Sequence, residues 1–282
     1  MGFVYKFVVA IFSAILLGSM SLQNEKTEFI YLNNPETLKT TGILHQKKYS
    51  QNTNVRYFFH FKNGTKSTQK FYIKSNFVIK DLKYSYNIHR RPEFAGAKST
   101  LDFMKSEYKN DTVNLSIDLK PNETISGMMD GKIIKDDNIL FQFGNEKNNI
   151  RAVDYYQTKY QHNVNLDLKQ NSSTKYRLGE NIPDTVKGQY GSSINIVVNP
   201  KETGILKMSF SPRGGAGLLV FSNRGKIFIT KLMPAFKKYD AFMISVEKGK
   251  KETFTFIPCG GLNYPINLDF SLQQYELNPD IA

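Results

Sequence analysis

Short apolar runs alternating with polar residues, closed off every few positions by turn-forming residues, constrain this chain more than any other feature. In VNLSIDL (113–119) the residues Val113, Leu115, Ile117 and Leu119 fall on one side of an extended backbone, the period-two signature of a half-buried strand. NVRYFFHF (54–61) and QKFYIK (69–74) are joined through Asn63-Gly64, a pair that tolerates the positive φ angles of a tight hairpin turn. The pattern continues through FVIKDLKYSYNI (77–88), NILFQF (138–143), INIVV (194–198), GILKMSF (204–210), GLLVF (217–221), KIFIT (226–230), AFMISV (241–246), ETFTFI (252–257) and PINLDFSL (265–272). Strands this short and this regular predict a mostly-β chain of two antiparallel β-sandwich domains, jelly-roll or immunoglobulin-like, with one short helix in the first.

That helix is read at Ser99 or Thr100 as cap, Asp102 in the first turn, and Leu101, Met104 and Tyr108 at helical spacing. Its expected role is a plug over one end of the first sandwich. Residues 166–190 are rich in Lys, Gln, Asn, Ser, Gly and Pro and read as a linker or long connection, with room for an edge strand. The expected domains are therefore 25–165 and 191–282, with no clear repeat between them.

The first 21 residues have the layout of a secretory signal. Lys6 precedes an apolar run over 7–17, and Ser19 and Ser21 sit at the positions a signal peptidase needs small. The run is shorter than the ~20 apolar residues of a spanning helix. Later segments are shorter still, so no integral membrane segment is expected once the signal is removed. Cys259 is the single cysteine, so no disulfide forms within the chain and stability must come from packed area. Hydrophobic residues at 40% and aromatics at 13% supply it.

The formal charge of +13 favours anionic surroundings, here an anionic cell-wall polymer or polysaccharide, although solubilising lysines alone produce the same surplus. No specific nucleic-acid motif appears. His45, His60, His89 and His162 are scattered without metal-ligand spacing, so neither a metal nor another cofactor is expected. His60, inside an aromatic strand, reads as a packed or hydrogen-bonded residue. Cys259 in IPCGGL is the one conceivable nucleophile, but no histidine follows it and a lone cysteine is commonly a small buried apolar group. A nucleophile elbow, a P-loop and a dinucleotide fingerprint are all missing.

Two basic stretches could hold an anion. In SPRGGAG (211–217), Arg213 with Gly214 and Gly215 suits a phosphate or carboxylate, although the same residues suit a hairpin tip equally. Arg90 and Arg91 form the second cluster, in a stretch that reads as a loop.

Several stretches in order, GILHQKKYSQNTNVRYFFHFKNGT, AGAKSTLDFM, ETISGMMDG, MSFSPRGGAGLLVF and FIPCGGLNYPINLDFSL, resemble a group of exported β-rich proteins of spore-forming Gram-positive bacteria. Some of that group resemble proteins attached to modules like the amino-terminal domain of copper amine oxidases. The resemblance implies an envelope or extracellular protein and brings no catalytic residues. The expected function is a secreted or cell-surface, non-enzymatic β-sandwich protein associated with an anionic envelope or matrix component. Its alternatives are a self-assembling surface or coat protein and an extracellular hydrolase.

Overall fold

The computed structural model describes residues 27–150, 152–157, 161–178, 190–212, 216–217, 219–230, 233–234, 238–261 and 266–274. The proposed leader, Arg213, Gly214 and Gly215 lie outside them. In chain order the first half contains β1 (Thr27–Leu32), β2 (Thr37–Leu38), β3 (Gly42–Tyr49), β4 (Thr53–Asn63), β5 (Gln69–Lys74), β6 (Ile79–His89), helix α1 (Pro92–Lys105), β7 (Lys109–Asp111), β8 (Asn114–Leu119), β9 (Thr124–Ile133), β10 (Asp137–Phe143) and β11 (Val153–Gln157). The second half contains β12 (Gln161–Leu168), β13 (Ser172–Leu178), β14 (Ser193–Pro200), β15 (Gly204–Pro212), β16 (Ala216–Gly217), β17 (Val220–Asn223), β18 (Lys226–Ile229), β19 (Met233–Pro234), β20 (Tyr239–Val246), β21 (Glu252–Phe256) and β22 (Ile266–Gln273).

Among the described residues four main sheets form. The first half forms a sheet ordered β11-β1-β4-β9-β6-β7, with β2 on β4, and a second ordered β3-β10-β5-β8. The second half forms β12-β14-β21-β17-β18 and β13-β22-β15-β20, with β16 and β19 as a small extra pair. Side chains from both sheets of the first half share one core, among them Tyr57, Phe59, Phe71, Phe141 and Phe143. In the second half Ile196, Phe254, Phe256, Leu206, Phe210 and Phe270 do the same.

The chain is mostly β, but the two antiparallel jelly-roll or immunoglobulin-like sandwiches expected from the pattern are corrected. Strand β4 pairs in parallel with both β1 and β2, and β12 pairs in parallel with β14 over eight residues, Gln161↔Ser193 to Leu168↔Pro200. Parallel neighbours need a crossover rather than a hairpin, so the strand order differs from either expected topology. The reason the polarity escaped is visible in β4. Tyr57, Phe59 and Phe61 face the first core, while Phe58 faces a third cluster with Phe29, Tyr31, Phe103, Met128 and Ile257. Strands buried on both faces read as continuous apolar runs, which do not declare their partner's direction.

The helix is also corrected. It begins at Pro92, whose ring presets φ at the first helical position and whose missing N–H costs nothing there. Ser99 and Thr100 are therefore not caps: both are buried in mid-helix, and Tyr108 lies beyond the end. Nor does α1 close one end of the first half. Ala97, Phe94, Leu101 and Met104 pack on the second half's core, while Phe103 packs on the outer face of the large sheet. The helix is the wedge that joins the two halves.

The stretch read as a connection at 166–190 contains the end of β12 and all of β13, which pairs with β22 from Ser172↔Leu272 to Leu178↔Ile266. Strands β17 and β18 are linked by Arg224-Gly225 at φ 48° and 73°, the two positive angles of a hairpin turn matched to strand twist. Among the described residues no helix is long and apolar enough to cross a membrane.

Candidate functional site

Three adjacent strands of the large sheet place one charged residue each on a single rung. Arg56 of β4 pairs across to Asp130 of β9, and Lys83 of β6 pairs to Asp130 from the other side. The sequence buries Arg56 between Val55 and Tyr57, so its guanidinium needs a partner at that depth. It has one: Nε lies 2.7 Å from Asp130 Oδ1. Arg56 Nη1 also donates to Ser193 Oγ at 3.1 Å, across the junction to the start of β14.

The rung floors a cleft of about 340 Å³ between the halves. Helix α1 and the residues after it supply Phe103, Met104 and Tyr108; the second half supplies Gln161, Ser193, Ser222, Gly225, Ile227 and Ile257. The Lys83 ammonium sits 5.0 Å from the Phe103 ring centre and 5.1 Å from that of Tyr108, and the Arg56 guanidinium carbon is 5.3 Å from Phe103. The rings' negative faces thus hold both cations. Burial, helped by Arg56, lowers the Lys83 pKa against the upward pull of Asp130. Burial pushes the Asp130 carboxyl up, against the downward pull of Arg56 and Lys83. Arg56 and Lys83 thus flank the Asp130 carboxylate on the cleft floor, with Lys83 half-buried. Ser193, Ser222 and Gln161 add polar side chains to the same cleft.

In the sequence Met104 and Tyr108 read only as a helical stripe, and Arg56, Lys83 and Asp130 do not read as a site. The signal was there: Arg56 and Asp130 each interrupt an apolar strand, a placement that is costly unless paired.

Of the candidate site residues, Arg213, Gly214 and Gly215 lie outside the described residues, and Arg90, Arg91, His60 and Cys259 fall outside the cleft. Arg91 stands at the N-cap of α1, with Nε donating to Glu93 Oε1 at 2.8 Å and its guanidinium carbon 4.8 Å from the Phe94 ring centre. Arg90 is exposed beside it. His60 is buried as expected, with Nε2 3.5 Å from Glu36 Oε1 and its ring stacked on Phe58 at 6.4 Å. Cys259 is fully buried, and burial pushes its thiol up to about 12, the wrong direction for a nucleophile. Among the described residues no three His, Cys, Asp or Glu side chains gather as metal ligands.

The reading of an antiparallel β-sandwich bound to an anionic envelope by its net charge is corrected with the fold. The sheets are mixed rather than purely antiparallel. The thiol required by one form of the hydrolase alternative is enclosed, and burial raises its pKa.

No family model matches the chain, and no curated protein sequence matches it either. Among solved structures it is similar to the CUB1-EGF-CUB2 domains of rat MASP-1, at 8% identity and a TM-score of 0.24, over 83% of this chain and 99% of that one. It is also similar to Lac15 from a marine microbial metagenome, at 9% identity and a TM-score of 0.20, over 87% of this chain and 62% of that one. A tandem CBM22 domain of Paenibacillus barcinonensis Xyn10C follows at 8% identity and 0.15, over 86% and 94%. Likenesses at these scores carry neither fold nor function to this chain.

Proposed function

We propose that this protein acts by binding, without catalysis, and that the cleft between its halves takes a small organic monoanion with an apolar or planar body. One observation carries the reading: the Lys83 ammonium is half-buried between two aromatic rings in the cleft, which brings a cation and apolar ring faces to one opening. A carboxylate entering there regains for Lys83 the solvation it gave up, and the rings and Met104, Ile227 and Ile257 cover the body. The ligand would touch both halves and α1, so binding would stabilise their junction.

The leader-like first 21 residues support export as the setting, tested by whether the mature chain appears outside the cell. For binding, benzoate is a suitable probe: it joins one carboxylate to a planar apolar ring. Raised melting temperature with benzoate, absent with the uncharged benzyl alcohol and lost in Lys83→Met, is the expected result. Equal shifts with both compounds would overturn the anion reading.

A further inference from the structure

We infer that Lys83 is a covalent capture site, whose amine condenses reversibly with the carbonyl carbon of a planar aldehyde held in the cleft. The inference rests on the cleft being a binding site, though not on its ligand carrying a negative charge. Strand register brings the lysine there. Lys80 of β6 pairs with Lys132 of β9, and two residues back along β9 a regular ladder would set Leu82 opposite Asp130. The register shifts by one residue between them, with Asp81 at φ 50°, so Lys83 takes that place while Leu82 is buried in the first core. A shift of this kind re-aims a side chain, and here it turns an amine into the cleft. A carbonyl compound that reaches the Lys83 nitrogen also meets Phe103 and Tyr108, whose ring centres lie 5.0 and 5.1 Å from it. The 340 Å³ of the cleft accommodates a one-ring molecule.

The surroundings favour the neutral, nucleophilic amine over the ammonium. Burial and the Arg56 cation on the same rung both lower the Lys83 pKa, with Asp130 opposing them. Exposed lysines of the same half go the other way: Lys70 and Lys109 bond to Asp118 and Asp111, which raise their pKa. In the step, the amine lone pair forms a C–N bond to the carbonyl carbon as the π pair of C=O moves to oxygen. That oxygen takes one proton from the nitrogen and one from solvent, and leaves as water when the C–O bond breaks. The nitrogen lone pair then closes C=N. The product is a protonated imine, which keeps a positive charge beside both rings and needs neither oxidant nor reductant.

Benzaldehyde, which carries an aldehyde where benzoate carries its carboxylate, is the probe, with sodium cyanoborohydride added to fix each imine as a secondary amine. Mass spectrometry of the whole chain and of its peptides reads the sites. The expected result at low aldehyde excess is one benzyl group per chain, at Lys83, with Lys70 and Lys109 labelled several-fold more slowly. Lys83→Arg should abolish the fast labelling while keeping a cation between the rings, and an unchanged melting temperature verifies its fold. Selective labelling that excess benzoate slows supports the inference and the anion reading together. Selective labelling that benzoate leaves untouched supports the inference and counts against the anion reading. Equal labelling of Lys83, Lys70 and Lys109, or slower labelling of Lys83, would overturn the inference; a melting temperature still raised by benzoate would then leave the cleft standing as an anion site.

Discussion

Gly96 in helix α1 lies so close to Gly260 of the second half that a Cβ at position 96 would stand 1.9 Å from the Gly260 carbonyl oxygen. The contact is backbone to backbone, so no flexible side chain can yield. Glycine is here the condition for the helix to seat between the halves, which is what forms the cleft.

Gly96→Ala is therefore expected to destabilise the protein by about 1–3 kcal/mol, the usual cost of overpacking. On an exposed helix the same change would stabilise by about 1 kcal/mol, so the sign separates the two situations. Urea unfolding of the variant reads it directly.

Arg56 and Asp130 should behave as a coupled pair. Removing one partner leaves a buried charge, so Arg56→Met alone is expected to cost about 3–5 kcal/mol, whereas Arg56→Met with Asp130→Leu should recover much of that. Part of the single loss will persist, because the bond from Arg56 to Ser193 across the junction is lost in both. A double-mutant cycle in denaturant supplies the coupling energy.

Asp137 is buried at the start of β10, and its carboxylate accepts the backbone N–H groups of Asn76 and Asn138 at 2.9 and 2.6 Å and of Phe77 at 3.2 Å. It ties the β5–β6 turn to β10. Asp137→Ala should cost about 2–4 kcal/mol, since buried donors lose a charged acceptor. Amide exchange should quicken at Asn76 and Phe77 before it does in β4.

His45 gives the fold a pH dependence. Burial lowers its pKa from 6.5 to about 4, with Lys47 adding to the fall and Glu28 opposing it. Its Nε2 lies 3.2 Å from the Tyr57 hydroxyl, which also meets that of Tyr49. The unfolded chain takes up the proton first, so this contribution is complete above pH 6.5 and is lost as pH falls toward 4. The loss is at most about 3 kcal/mol. His45→Phe should flatten the stability profile across that window.

Much of the strand content was legible because alternation at 113–119 or 204–210 follows directly from one face being buried. The hairpin turn expected at Asn63-Gly64 is not formed: Asn63 is the last residue of β4, neither residue takes a positive φ, and β4 pairs with β9 while β5 pairs with β8 and β10. Strand polarity is a long-range property, and nothing local to β1 or β12 encodes it. Pro92 did mark the helix start, but the basic residues before it drew attention as a loop and anion site. The cleft stayed hidden because Arg56, Lys83 and Asp130 are far apart in sequence and meet only through the registers of β4, β9 and β6.

The most direct test of the central claim is titration of benzoate into the intact protein and into Lys83→Met, followed by calorimetry. Saturable binding to the first, weakened about tenfold or more in the second, is the expected result. Equal affinity in both, with the variant folded, would contradict the assignment of the cleft as the ligand site.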